Sequence, residues 1–122
     1  MAPYEAITAD ELPEVLRRYL RSRSVGDVDR ALDECCDDVV LVDVDEVHRG
    51  REELRVVLSR PITERRLTFS TTGAARLGHD RYDVSERIEG DVEGGRFDLR
   101  YRFGLRDGLI EMLVIELGSS VR

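Results

Sequence analysis

The stretch RYDVSERIEGDVEGGRFDLRYRFGLRDGLIEMLVIEL, residues 81–117, decides the fold class. Apolar and polar side chains alternate in the runs Arg81 to Glu89, Phe97 to Phe103 and Leu109 to Leu117, and a similar run precedes them at Leu67 to Thr72. A period of two marks a strand with one face on a core, because successive side chains point to opposite faces of a sheet. Gly90-Asp91-Val92-Glu93-Gly94-Gly95 reads as a flexible hairpin loop and Arg106-Asp107-Gly108 as a tight turn. Four strands joined by such short links predict an antiparallel meander.

Before Arg65 the period is that of a helix. Leu12, Val15, Leu16, Tyr19 and Leu20 form the stripe of an amphipathic helix over about residues 10–23. Asp10 is the expected N-cap, which puts Pro13 in the first turn; a Thr8–Glu11 capping box would push Pro13 further inside. After Gly26 a second stripe runs through Val28, Ala31, Leu32 and Cys35, with Asp27 as its cap. Val39 to Val44 is a β-branched run of strand length, and Gly50 opens a third, short helix with Leu54, Val57 and Leu58 inward, stopped by Pro61. The expected fold is α+β: three N-terminal helices packed on a strongly curved, mostly antiparallel sheet, with a pocket between the layers.

Composition narrows the function classes. With 122 residues, one domain over 1–122 is expected. The net charge of −7 argues against nucleic acid, whose binding needs a basic face that releases counterions. All 19 basic residues counted as Lys plus Arg are arginines, so Schiff-base chemistry and a lysine base are excluded. No apolar run approaches the roughly 20 residues of a membrane span, and the N-terminal segment lacks the features of a secretory signal, so a cytoplasmic protein is expected. Adjacent Cys35 and Cys36 suit neither a disulfide nor a metal site; the expectation is a small buried hydrophobe beside a partly exposed thiol. His48 and His79 fall in expected loops and read as surface residues.

Carboxylates standing where the alternation calls for an apolar side chain are the candidate chemistry. Glu86 shares a face with Tyr82, Val84 and Ile88; Glu116 shares one with Ile110, Met112 and Val114; Asp43 shares one with Leu41. A carboxylate facing an apolar cavity has its ionised form disfavoured, which suits it to proton transfer near neutral pH. Asp98 and Arg100 alternate with Phe97, Leu99, Tyr101 and Phe103 and are expected to face outward.

Several strings resemble those of SnoaL-like and ketosteroid-isomerase-like members of the nuclear transport factor 2-like superfamily. They are Arg18-Tyr19-Leu20; Val25-Gly26-Asp27-Val28-Asp29; Cys36-Asp37-Asp38-Val39-Val40-Leu41-Val42-Asp43; His48-Arg49-Gly50-Arg51-Glu52-Glu53-Leu54; and Phe103 through Asp107-Gly108-Leu109-Ile110. The resemblance spans nearly the whole chain and implies a conical fold around an internal pocket. It implies Asp43 as a carboxylate base and Tyr19 as a phenol donating to a substrate oxygen. The second, protonated acid of the isomerase oxyanion hole would correspond to Leu99, which cannot donate. The aromatic positions of that pocket would correspond to Tyr82, Glu86 and Glu116.

These readings converge on an acid–base enzyme without cofactor or metal, acting on a small, fairly apolar carbonyl compound. The expected catalytic set is Asp43, Tyr19 and Glu116; Tyr82, Glu86, Leu99, Tyr101 and Met112 are the expected substrate-binding residues. One alternative is a non-catalytic module that binds a small molecule or dimerises; a lesser one is a water-activating epoxide hydrolase using Asp98 and Arg100. Leu113, Ile115 and Leu117, alternating with the expected pocket face, predict a homodimer through the other face of the sheet.

Overall fold

The computed structural model describes residues 4–59, 67–90 and 94–118. In chain order its elements are β1 (Glu5–Ile7), a 3-10 turn (Ala9–Glu11), α1 (Glu14–Ser24), α2 (Val28–Asp33), β2 (Cys35–Asp43), β3 (Glu46–Arg49), α3 (Gly50–Leu58), β4 (Leu67–Gly78), β5 (Arg81–Gly90), β6 (Arg96–Arg106) and β7 (Leu109–Leu117). One sheet holds all seven strands in the order β1-β4-β5-β6-β7-β2-β3, and only β2 and β7 run parallel. The meander β4 to β7 is the one the alternation predicts. Its last turn places Asp107 and Gly108 at φ 55° and 79°, the left-handed pair that a two-residue hairpin requires.

The helices match their stripes more closely than their starts. The peptide N–H of Thr8 donates to Glu11 Oε1 at 2.8 Å, but this box closes the separate 3-10 turn. Pro13 then forces Leu12 into an extended conformation, ψ 148°, so α1 starts after the proline and Asp10 does not cap it. Asp27 does cap α2, accepting from the Arg30 N–H at 3.2 Å. Cys35 belongs to β2 rather than to the second helix, whose cap is Glu34. Leu54, Val57 and Leu58 are buried on α3 as expected. Pro61 and residues 91–93 of the hairpin loop lie outside the described residues.

Two edge strands and half of β4 have no counterpart in the periodicity. β4 continues past Thr72 through an irregularity between Thr71 and Gly73, and β1 pairs with this extension, Ala6 opposite Ala75. Strands of three and four residues are too short to display a period, and the Gly-Ala-Ala of the β4 extension carries little alternation. The core lies between the helices and the concave sheet face, around Leu16, Tyr19, Leu41, Leu54, Val84, Phe103, Ile110 and Leu113.

β7 departs most from its predicted facing. Leu105 pairs with Ile110 but Gly104 pairs with Met112, so Glu111 is an extra residue in the strand. A bulge of one residue exchanges the two faces for everything beyond it. Ile110 is therefore inward, but beyond the bulge Leu113, Ile115 and Leu117 take the inner face, while Met112, Val114 and Glu116 take the outer one. The outer face carries charge pairs, Arg87 with Asp98 at 3.2 Å and Arg102 with Asp83 at 3.0 Å. Leu113 and Ile115 of the apolar patch on which the homodimer expectation rested are thus buried on the inner face, and Leu117, 67% exposed, lines the cavity instead of the outer face, so the expectation loses its ground. Both cysteines are buried, which corrects the expected exposed thiol at Cys36. Burial pushes the Cys35 thiol up to about 12.

Candidate active site

A cavity of about 380 Å³ opens between the C-terminal end of α1, the C-terminal end of α3 and the inner face of the sheet. Its walls are mainly apolar: Val57 and Leu58 from α3, Phe69 and Ile88 from β4 and β5, Phe97 and Leu99 from β6, and Ile115 and Leu117 from β7. Among the described residues its two charged lining side chains are Asp43 and Arg23. A few polar groups on a mostly apolar concave wall are the usual composition of a small-molecule site.

Asp43 comes to the cavity because Val39, Leu41 and Asp43 share the inner face of β2. The next residue, Val44, also lines the cavity and holds φ 61°, with its N–H donating to the Ile115 carbonyl at 2.9 Å. A β-branched residue in the left-handed region is strained, and that turn fixes where the Asp43 carboxyl sits. Val44 is 60% exposed, so little packing offsets the strain. Val44→Asn is expected to stabilise the protein by about 1 kcal/mol in urea denaturation, since asparagine tolerates this conformation; no change would mean the turn is relaxed.

Arg23 is the site residue that the search for misplaced carboxylates passes over. It follows Leu16, Tyr19 and Leu20 at i+7, i+4 and i+3, an arginine on the apolar stripe of α1. The same test applied to the helix, rather than to strands alone, flags it. Its guanidinium lies 5.6 Å from the centre of the Phe69 ring, and its charge acts on the Tyr19 phenol.

Tyr19 itself lies in the core, 1% exposed and edge-on to Phe103 at 5.9 Å, and it does not line the cavity. Burial pushes its phenol up to about 12, against the pull of Arg23. Tyr101 is also raised, first by burial and then by the Glu86 charge. Both phenols are held neutral by the fold, whereas an unfolded chain ionises them near about pH 10. That stabilisation is intact below about pH 10 and falls as the pH rises toward about 12. In an ultraviolet phenolate titration, Tyr19 and Tyr101 are expected to stay silent until the protein unfolds; all four tyrosines titrating near pH 10 in folded protein would contradict this burial.

Glu86 is buried on the inner face as its alternation predicts, 4% exposed, and accepts a 3.1 Å hydrogen bond from Tyr101 Oη. Burial raises its carboxyl; the Tyr101 bond, the Arg23 charge and the Thr71 hydroxyl on the neighbouring strand oppose that rise. It opens not on the apolar cavity but on a shallower cleft, about 330 Å³, beside α1 and β4. Ser24 and Phe69 line both spaces.

The remaining expectations divide. Leu99 lines the cavity. Tyr101 is buried beside it in the Glu86 network and Tyr82 packs under Arg76 at 5.8 Å; neither lines the cavity. Met112 and Glu116 are corrected by the β7 bulge, which puts both on the outer face. Asp98 and Arg100 also lie on that face, as expected, and do not reach the cavity. His48 sits on β3 paired with Glu46 at 3.1 Å, and His79 is exposed in the β4–β5 turn.

No protein-family model and no curated protein matches the sequence. Solved structures do match. A candidate polyketide cyclase from Sinorhizobium meliloti is similar over 90% of this chain and 100% of its own, with a TM-score of 0.79 at 21% identity. A protein of unknown function from Burkholderia xenovorans, described as nuclear transport factor 2-like, matches over 89% of this chain and 84% of its own, with a TM-score of 0.76 at 16% identity. A protein with a ketosteroid isomerase-like fold from Catenulispora acidiphila, in complex with trimethylamine, matches over 85% of each chain, with a TM-score of 0.72 at 15% identity. Three helices on a curled, mostly antiparallel seven-stranded sheet, shared with these proteins over most of their length, give this chain the α+β cone fold of the nuclear transport factor 2-like proteins.

Proposed function

We propose that this protein is a cofactor-independent acid–base enzyme acting on a small, fairly apolar carbonyl compound, as an isomerase, cyclase or dehydratase. The observation that carries the reading is the presence of one carboxylate, Asp43, and one guanidinium, Arg23, on the walls of an otherwise mostly apolar cavity of about 380 Å³. Asp43 takes a proton from the carbon beside the carbonyl, and the electron pair moves onto the oxygen. Arg23 stabilises that negative oxygen, a charge-assisted bond strengthened where water is excluded. Tyr19, expected from the resemblance to touch substrate, lies in the core behind the cavity wall, where the Arg23 charge acts on its phenol. Return of the proton at another carbon completes an isomerisation; attack of the enolate on a second carbonyl closes a ring; loss of a β-hydroxyl dehydrates. The likeness to a candidate polyketide cyclase supports this class of substrate.

The test is proton exchange on a model ketone, 2-tetralone, in deuterated water, followed by proton NMR. Wild-type protein is expected to accelerate deuteration beside the carbonyl, and Leu99→Trp, which fills the cavity, to abolish the acceleration while remaining folded. Absence of acceleration, or acceleration indifferent to that filling, would overturn the reading.

A further inference from the structure

Most arginines among the described residues have a carboxylate beside them. Arg18 pairs with Glu34, Arg51 with Asp37, Arg55 with Asp29 and Arg106 with Asp38. Arg23 forms no ion pair among the described residues; it rests on the Phe69 ring and faces an apolar cavity. A half-buried cation without a contact anion, on the wall of an apolar cavity, is free to pair with an anion that enters from outside.

The acid that senses Arg23 lies behind it. Glu86 is 4% exposed and is faced by Arg23 and Tyr19 from α1, Thr71 from β4 and Tyr101 from β6. The cleft on which it opens adds Asp10, Arg17 and Arg21. Arg23 rests on Phe69, which with Ser24 lines both the apolar cavity and the cleft on which Glu86 opens, so its charge favours the ionised form of Glu86 without an ion pair between them.

We propose that the cavity takes an apolar organic anion, an ionised carboxylic acid, phenol or acidic enol, whose negative oxygen pairs with Arg23, and that Glu86 takes up a proton from solvent as the anion enters. This rests on the reading of the cavity as a ligand site and names its ligand class: such anions are stable relatives of the enolate formed there. An anion on Arg23 cancels the charge that favours ionised Glu86 and adds repulsion of its own, in a region where neither is well screened. Two negative charges flanking one guanidinium are resolved by protonating the acid that water reaches least. Proton uptake on binding means that affinity rises as pH falls. Asp43, on the cavity wall, is the other carboxylate exposed to the same field, but it is only half-buried and solvent screens it more.

Isothermal titration calorimetry with 2-naphthoate and 2-naphthamide tests this on the full chain, between about pH 6 and 8, where the naphthoate stays ionised, in buffers of different ionisation enthalpy. Naphthoate is expected to bind at least about tenfold more tightly than the neutral amide, with net proton uptake. Arg23→Met is expected to erase the preference, and Glu86→Gln to keep the preference while abolishing the uptake. Tyr101→Phe, which removes a bond favouring ionised Glu86, is expected to move the window of uptake to higher pH. The proposal is overturned if the amide binds as tightly, if naphthoate does not bind, or if the uptake persists in Glu86→Gln and so belongs to another acid. None of these readouts uses turnover. A protein that exchanges tetralone protons yet rejects naphthoate would therefore sink the ligand class alone, and one that binds naphthoate without exchange would sink the enzyme reading alone.

Discussion

Asp43→Asn is expected to slow the tetralone exchange by about 10²–10⁴-fold, the usual contribution of a positioned general base. The amide has almost the shape of the carboxylate and keeps an acceptor oxygen, but it cannot hold the abstracted proton. Because Asp43 is half-buried on the cavity wall and not in the core, its replacement is expected to move the urea midpoint very little, within about 0.5 kcal/mol of wild-type stability. The two measurements together separate chemistry from folding. A variant that folds normally and exchanges at the wild-type rate would remove Asp43 from the mechanism. One that loses both activity and stability would show that the carboxyl holds the β2–β3 turn instead.

The largest stability effect is expected at Phe103. Its side chain is fully buried, meets Tyr19 edge-on at 5.9 Å and lies 6.0 Å from the Tyr101 ring, so it is the central member of an aromatic row linking α1 to β6. Phe103→Ala is expected to cost about 3–5 kcal/mol, from lost transfer free energy plus the cavity left between two large rings that cannot collapse onto it. A domain of this size has roughly 5–15 kcal/mol in total, so the variant is expected to melt on the order of 10–20 °C lower. Val56, 67% exposed on α3, serves as the control, with Val56→Ala expected to stay within about 0.5 kcal/mol. A Phe103→Ala loss no greater than the control would mean that the aromatic row is not the centre of the core.

These two residues also show how unevenly the sequence reveals a fold and a site. Phe103 and Asp43 both lie on alternating strands, where one face is apolar over enough residues to be read, and both land where alternation puts them. Arg23 lies on a helix stripe that is equally readable, yet a cation there looks like a solvated end of the helix until Phe69 and the sheet are seen to close around it. Glu86 is legible as an inward acid; that Tyr101 satisfies it, and that it opens on a different space from Asp43, depends on β4 and β6, neither of which the Glu86 strand alone reveals.

What the sequence by itself determines is the order of the three helices and of β2 and β4 to β7, the antiparallel meander, the inner faces of β2, β5 and β6, and the presence of acids among apolar neighbours, because each of these is a local periodicity. The facing of β7 is decided only by the tertiary structure. Leu109-Ile110-Glu111-Met112-Leu113-Val114-Ile115 has apolar residues at both parities, so period two allows either row to face the core. The extra residue at Glu111, set by pairing with Gly104 and Leu105 of β6, chooses Leu113, Ile115 and Leu117 and sends Met112 and Glu116 outward. A bulge costs the strand one ladder position and leaves almost no trace in composition, and that is why one residue of register, not the count of carboxylates, determines which acid meets the cavity.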